Sequence, residues 1–297
     1  MTQDLPPSID PNAAARWERA VCRESPWLHE EVARRMEERL QWMTLQPDRW
    51  IHWEPLRGGL QVHDALLRRY PKSRPFVLVG PVEQAQAAMD LIVKPWWTRQ
   101  RWVGPQTQFV VPPEPVDMLW ANMALHRAAD PVALIRRWHQ LIRTDGFLMF
   151  SCLGPDTLGQ LRGVHAKHGW PAPTHDFTDM HDWGDMLVAA GFAEPVMDME
   201  RITLSFSTPQ ALRAELRQLG RNLSVHRFNG LRSRAWGERW HQAVQDGLPS
   251  PHEDGRLTVT FEVVYGHAFK PKPRHSLAPS TSISLDEMRA SLRQARG

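Results

Sequence analysis

At 297 residues, with 42% hydrophobic and 23% charged side chains, the chain is a globular one, long enough for one large α/β domain or two smaller ones. Its formal charge of +3 permits an acidic partner, but the arginines are interspersed with Glu and Asp along the chain, which argues against a nucleic-acid stripe. Two distant cysteines, Cys22 and Cys152, exclude a disulfide framework or a cysteine-based zinc site, and no run of 18 apolar residues reads as a membrane span.

The opening "MTQDLPPSID" lacks the basic-then-apolar order of a signal peptide, so the expectation is a soluble cytoplasmic protein. Residues 1–15 are expected to be disordered at the start of the chain, with Asp10 followed by Pro11 as a cap and first-turn proline. In "LHEEVARRMEERLQWM", Leu28, Val32, Met36 and Leu40 recur every four residues, the mark of a helix packed on something larger.

Strand and helix signals then alternate. "WIHWE" reads as a strand, Leu60 to Tyr70 as a helix, "PFVLVG" as a strand and "VEQAQAAMDLIV" as a helix. A weak strand "QFVV" is followed by the strand "VDMLWAN", a helix from Asp130-Pro131 to Gly146, and the strand "FLMFSCL". Such alternation predicts a parallel sheet covered on both faces. Beyond it, "DMHDWGDMLVAAGF" is a helix closed by Gly191, with Asp182 as its cap, and "VMDMERITLSF" is a long strand. Residues 207–256 read as a helical, arginine-rich insertion, and "LTVTFEVVYGHAF" is the last strand. A domain over 16–270 precedes a tail, 271–297, in which Ser284 and Glu287 form a capping box and Leu285, Met288 and Leu292 share one face. The tail reads either as a tethered helix that docks a protein partner or as a solvated end. Trp96, Trp97 and Trp102 crowd a polar stretch, either as an interaction surface or as covers over a small core.

The second half carries "LGPDTLGQLR", "FTDMHDWGDMLVAAGFAEPVMDMERITLSF", "LGRN" with "GLRSRAW", and "FEVVYGHAFKP". From about Asp117 to Pro271 these closely resemble the class I S-adenosylmethionine-dependent methyltransferases that methylate the free carboxyl of malonyl-acyl carrier protein in biotin synthesis. The resemblance implies a Rossmann-like fold with a mostly parallel seven-stranded sheet, helices on both faces, and a helical insertion on the substrate side before the last strand. It implies S-adenosylmethionine as cofactor and an acyl carrier protein thioester, or another carboxylate, as substrate. Nothing in it implies nucleic acid, a membrane or a metal.

The first motif departs from the family. The family pattern resembles V-L-D-L-G-C-G-T-G, which falls on Trp50 to Gly58 as "WIHWEPLRG". The acidic position becomes His52 and two glycine positions become Glu54 and Leu56, while Gly58 is retained. Gly80, followed by Pro81, stands where an acid usually grips the ribose, although Glu83 lies close by. A closing tyrosine of the family falls near Cys22, and Asn122 matches the family pattern S-N-L-A-L-Q-W, with His126 in place of its glutamine. A leucine in a turn that cradles a ligand occupies space the ligand needs. Two functions therefore stand open: a divergent carboxyl methyltransferase, and a pseudo-methyltransferase acting as a binding or regulatory subunit.

Substrate carboxylates call for arginine, whose planar fork binds both oxygens. The candidates are Arg221, Arg232 and Arg234 in the insertion and Arg201 on the strand before it, each also readable as part of a solvated face. His175, Asp176, Asp179, His181, Asp182 and Asp185 cluster in sequence without the convergence that a metal requires. Ser151 and Cys152 end a strand with no evident base beside them, so no nucleophile is assigned.

Overall fold

The computed structural model describes residues 9–20, 22–80, 82–94, 96–98, 104–249 and 255–272, without the side chains of Val82 and Glu83. The expected tail helix and Trp102 lie outside the described residues, as does the Glu83 side chain. Six strands form one sheet: β1 (Arg49–Trp53), β2 (Arg74–Leu78), β3 (Val116–Ala121), β4 (Ile142–Leu153), β5 (Ala193–Phe206) and β6 (Leu257–Phe269). Their order is β2-β1-β3-β4-β6-β5. The first four run parallel, and β6 lies antiparallel to both β4 and β5. Every residue of β3 is buried, as a strand covered on both faces should be.

A seventh strand was expected at "QFVV", but it is reduced to a single bridge from Gln108 to Phe76 beside β2. Gln108 gives its N–H to the Pro75 carbonyl and accepts from Val77 N, and the ladder stops there. Val110 and Val111 are exposed, and Pro112 and Pro113 follow, with no N–H to continue pairing.

Helices cover both faces. On one side α2 (Trp27–Arg39) and α4 (Gln61–Arg69) lie against the sheet, and Leu28, Val32, Met36 and Leu40 are all inaccessible to water. Each such burial stabilises the fold by about 1.5–3 kcal/mol. α6 (Pro131–Leu141) and α8 (Met180–Ala189) cover the other side through Ile135, Trp138, Trp183 and Leu187. α5 (Val82–Ile92) follows β2. The insertion contributes α9 (Pro209–Leu219) and α10 (Arg234–Gly247), which meet α7 (Gly159–Lys167) over Leu212, Trp240, Val244 and Phe261. Among the described residues no helix is long and apolar enough to cross a membrane.

Three expected boundaries shift. The first helix, α1 (Pro11–Arg19), starts inside the stretch 1–15 expected to be disordered, because the Asp10 carboxylate accepts from Asn12 N at 2.8 Å and Ala13 N at 3.2 Å. The helix from Pro131 ends at Leu141 rather than Gly146, since the β-branched Ile142 and Thr144 already belong to β4. Asp145 there is left-handed, and a Cβ on Gly146 would lie 2.8 Å from the Asp117 carbonyl. The cap of α8 is Asp179, which accepts from His181 N at 2.8 Å, and Asp182 sits in the first turn behind it.

Asp117 ties three strands together: it lies on β3, accepts from Arg49 N of β1 at 2.7 Å, and pairs with the Arg143 guanidinium of β4. Asp117→Ala should lower stability by about 2 kcal/mol, the worth of charge-assisted hydrogen bonds lost from a buried acceptor. Urea unfolding checks this, with a lower midpoint and an unchanged slope expected.

Candidate functional site

In an open α/β sheet, ligands bind beyond the carboxyl ends of the strands where the strand order turns, here between β1 and β3. The chain's own side chains fill that crevice. After β1, Glu54 adopts a left-handed conformation and a one-turn helix, α3 (Pro55–Gly58), replaces an open glycine loop. Leu56 is 1% exposed and packs with Val77, Ala88 and Ile92. The Glu54 carboxylate pairs with Arg127 at 2.5 Å, beyond the end of β3.

Backbone groups at the turn are equally occupied. Arg57, itself buried, donates to the Trp17 carbonyl at 2.8 Å and the Ala20 carbonyl at 2.5 Å, and its guanidinium lies 4.2 Å from the Trp17 ring centre. Ser25 Oγ donates to Leu56 O at 2.9 Å and accepts from Gly59 N at 3.1 Å. Glu30 caps α4 by accepting from Leu60 N at 2.7 Å and Gln61 N at 3.0 Å. The Asn122 amide donates to His29 O at 2.8 Å and Gly58 O at 2.5 Å, and its carbonyl accepts from Ser151 Oγ. A Cβ at Gly58 would lie 2.8 Å from Asn122 O, so packing alone requires this glycine. Cys22 Sγ lies 3.5 Å from Leu56 O.

Of the other expected cofactor positions, His52 lies in the layer between β1 and α4, where its Nδ1 is 3.2 Å from His63 Nδ1. Gly80 is exposed, and a Cβ on it would come 3.7 Å from Glu54 Oε1. S-adenosylmethionine needs room for its adenosine and free donors for its carboxylate. The residues present do not fit it, because Leu56 takes the room and Ser25, Glu30 and Asn122 take the polar partners.

A cavity of about 370 Å³ opens beside the crevice, between the ends of β4 and β6 and the insertion. Its walls are mostly apolar, with Leu158, Leu161, Phe177, Leu219, Trp240 and Phe261 among them. Arg221 and Arg232 line it, and neither has an ion-pair partner among the described residues. Arg232 lies 3.6 Å from the Phe228 ring centre and 4.3 Å from that of Trp236, while Arg221 faces Trp17 at 5.9 Å. The other two expected arginines lie elsewhere: Arg201 pairs with Asp156 at 2.6 Å on an exposed face, and Arg234 is exposed at the start of α10. Two lining arginines escaped the sequence reading. Arg227 pairs with Asp10 at 2.6 Å and Arg127 with Glu54, and no local pattern marks either partner.

The remaining candidates are structural. Burial pushes the Cys152 thiol far up, so it is no thiolate. Ser151 spends its hydroxyl on Asn122 and accepts from Met123 N. His126 accepts from Leu153 N at 3.3 Å, and His175 donates from Nε2 to His126 O at 2.9 Å. No group of three or more His, Cys, Asp or Glu side chains among the described residues is placed to hold a metal ion. Burial, above all, holds His29 and His63 down to about 4 and His52 and His126 lower than usual, so these rings are neutral at pH 7.

No protein-family model matches the chain. A malonyl-acyl-carrier protein O-methyltransferase of Gallionella capsiferriformans is 36% identical over 266 residues, 83% of this chain and 85% of that protein. The enzyme of the same name from Nitrosospira multiformis is 33% identical over 272 residues, 86% of each chain. That of Laribacter hongkongensis reaches 42% over 172 residues, 57% of this chain and 56% of its own. Among solved structures, a candidate methyltransferase from Bacillus halodurans superposes with a TM-score of 0.53 at 12% identity, covering 82% of this chain and all of that one, which supports the fold.

Two outcomes follow from the filled crevice. Leu56→Gly should cost about 3–5 kcal/mol, because it removes a fully buried leucine and adds backbone freedom; urea unfolding reads it. The buried histidines have folded pKa values below their unfolded value near 6.5, so the stability they contribute is complete above that pH and is lost as pH falls toward 4. Each should steepen the loss by up to about 1.4 kcal/mol per pH unit between those limits. A urea midpoint that holds steady from pH 7 to 4.5 would contradict this.

Proposed function

The chain belongs to the malonyl-acyl-carrier protein O-methyltransferase family, and we propose that this member has kept the family's acyl-binding side while closing its cofactor crevice. On this reading it is a pseudo-methyltransferase that binds a carboxylate-bearing acyl group, carried as the thioester of an acyl carrier protein, and acts as a binding or regulatory subunit. The observation that carries it is the pair of guanidiniums without ion-pair partners among the described residues, Arg221 and Arg232, in a mostly apolar cavity next to a crevice occupied by Leu56 and the Glu54–Arg127 pair.

The physical argument is one of charge. An arginine in an apolar wall is stabilised when a carboxylate shares its hydrogens, and charge-assisted bonds of this kind are about twice as strong as neutral ones. Partial burial lowers the pKa of both Arg221 and Arg232, and the nearby Arg217 charge adds to the effect at Arg221, which itself stays exposed. The aromatic rings around Arg232 hold its plane in place, so little freedom is lost when a carboxylate arrives. The apolar walls take the acyl chain and exclude water. Methyl transfer would demand a donor in the crevice, where the chain's own contacts stand.

Thermal-shift titration of the full chain tests both halves. A malonyl thioester of pantetheine at a hundred times its dissociation constant should stabilise by about 2.7 kcal/mol, a rise of roughly 5–10 °C for a chain of this size. Millimolar S-adenosylmethionine should give no rise, and Arg232→Gln should abolish most of the thioester's effect. A rise with S-adenosylmethionine, together with methylation of a malonyl thioester, would establish the catalytic reading instead.

A further inference from the structure

The insertion carries a positive charge that the molecule does not neutralise locally. From α9 through α10, residues 209–247 hold seven arginines, no lysine and three acids, a surplus of four that exceeds the +3 of the entire chain. Arg227 is paired with Asp10, whereas Arg213, Arg217, Arg221, Arg232, Arg234 and Arg239 have no ion-pair partner among the described residues.

Three of these arginines converge. Arg213 of α9 lines a groove of about 350 Å³ together with Arg232 and Arg234 at the start of α10. The groove and the acyl cavity share Arg232 and Trp236, so the basic face adjoins the cavity. Left alone, the arrangement is unfavourable. Arg213 and Arg217 stand four residues apart on α9, a spacing at which like charges repel. Arg234 opens α10, whose first turn holds no acid, although the amino end of a helix disfavours cations.

Apolar surface is exposed in the same place. Leu231, between the cavity-lining Gly230 and Arg232, is 99% exposed, and Phe228 is 47% exposed. Apolar side chains set among arginines are the make-up of a protein–protein contact. A nucleic-acid backbone would engage the guanidiniums and leave Leu231 in water.

We propose that this face docks an acidic surface of the protein that delivers the acyl thioester, with carboxylates meeting Arg213 and Arg234 and an apolar side chain covering Leu231. The face follows from its own charge and exposure; that its occupant is the acyl carrier protein rests on the carboxylate-binding reading of the adjoining cavity. Complementary charge of this kind steers encounter and fixes the orientation of the partner.

Calorimetric titration of the full chain with malonyl-acyl carrier protein, and separately with the malonyl thioester of pantetheine, tests it. Arg213→Gln combined with Arg234→Gln, and separately Leu231→Ser, alter side chains that do not line the cavity. Each variant should bind the carrier protein roughly tenfold more weakly, while the small thioester binds wild type and variants alike. Raising salt from about 0.1 M to about 1 M, which shortens the screening length from about 10 Å to about 3 Å, should weaken the wild-type carrier complex as well. Carrier binding that is absent, or that the substitutions leave unchanged, would overturn the docking face, as would tighter binding of duplex DNA than of the carrier protein. Failure of the small thioester to bind, with carrier binding still sensitive to the substitutions, would uphold the docking face and remove the carboxylate reading.

Discussion

The buried guanidinium of Arg57 fixes how the amino-terminal third closes on the sheet. A charge removed from water is tolerated only when its hydrogens find acceptors. Here the acceptors are the carbonyls of Trp17 and Ala20, at the end of α1, with the Trp17 ring against the guanidinium face. The Gln84 amide, from α5, also donates to the Glu18 and Ala20 carbonyls. The end of α1 therefore serves as the acceptor surface for two side chains of the sheet's first two crossovers, and it is drawn down onto the turn after β1. Once it is there, the crevice between β1 and β3 is roofed by protein.

The roof is matched from below. Glu54 and Arg127 both depart from the family pattern, one where it reads glycine and the other where it reads tryptophan, and the two side chains meet. Both are largely shielded from solvent, where an isolated charge of either sign would be strongly unfavourable and the pair is tolerated. Leu56, a third departure, completes the cluster over Val77 and Ala88. The substitutions are thus mutually supportive native contacts, which is what a chain adapted to the closed arrangement requires.

Much of this architecture was legible in the sequence. The four-residue spacing from Leu28 to Leu40 located α2 and its buried face, and the alternation of strands and helices gave the parallel half of the sheet. The bulk at residues 54–56 was itself a sign that the turn had changed use. Through-space pairings were not legible. That Arg127 meets Glu54, that Arg227 meets Asp10, and that Glu30 caps α4 rather than α2 all depend on elements brought together only by the fold. Nor could the motif say which way His52 points. Alternation assigns it a face of β1, but only α4 and His63 show that this face is covered by a helix and lies away from the crevice. The strand at "QFVV" failed for a different reason, because an apolar run needs a cover and continuing N–H groups, and two prolines withhold the latter.

Resemblance to the family is strong from about Asp117 onward and thin before it, and the division coincides with the physical one. The later segments supply most of the cavity walls, from Leu153 through Phe177 to the insertion and Phe261, while the earlier ones supply most of the crevice, joined there by Asn122 and Arg127. Reopening the crevice would need more than one change. Replacing Leu56 alone leaves Ser25 and Glu30 on the backbone N–H groups and Arg57 holding the roof. Removing Glu54 alone strands Arg127 in a poorly solvated place, so the single steps do not add independently. The closed arrangement is consequently hard to leave one residue at a time, whereas the cavity, whose arginines Arg221 and Arg232 have no ion-pair partner among the described residues to give up, stays available to a ligand without rearranging the core.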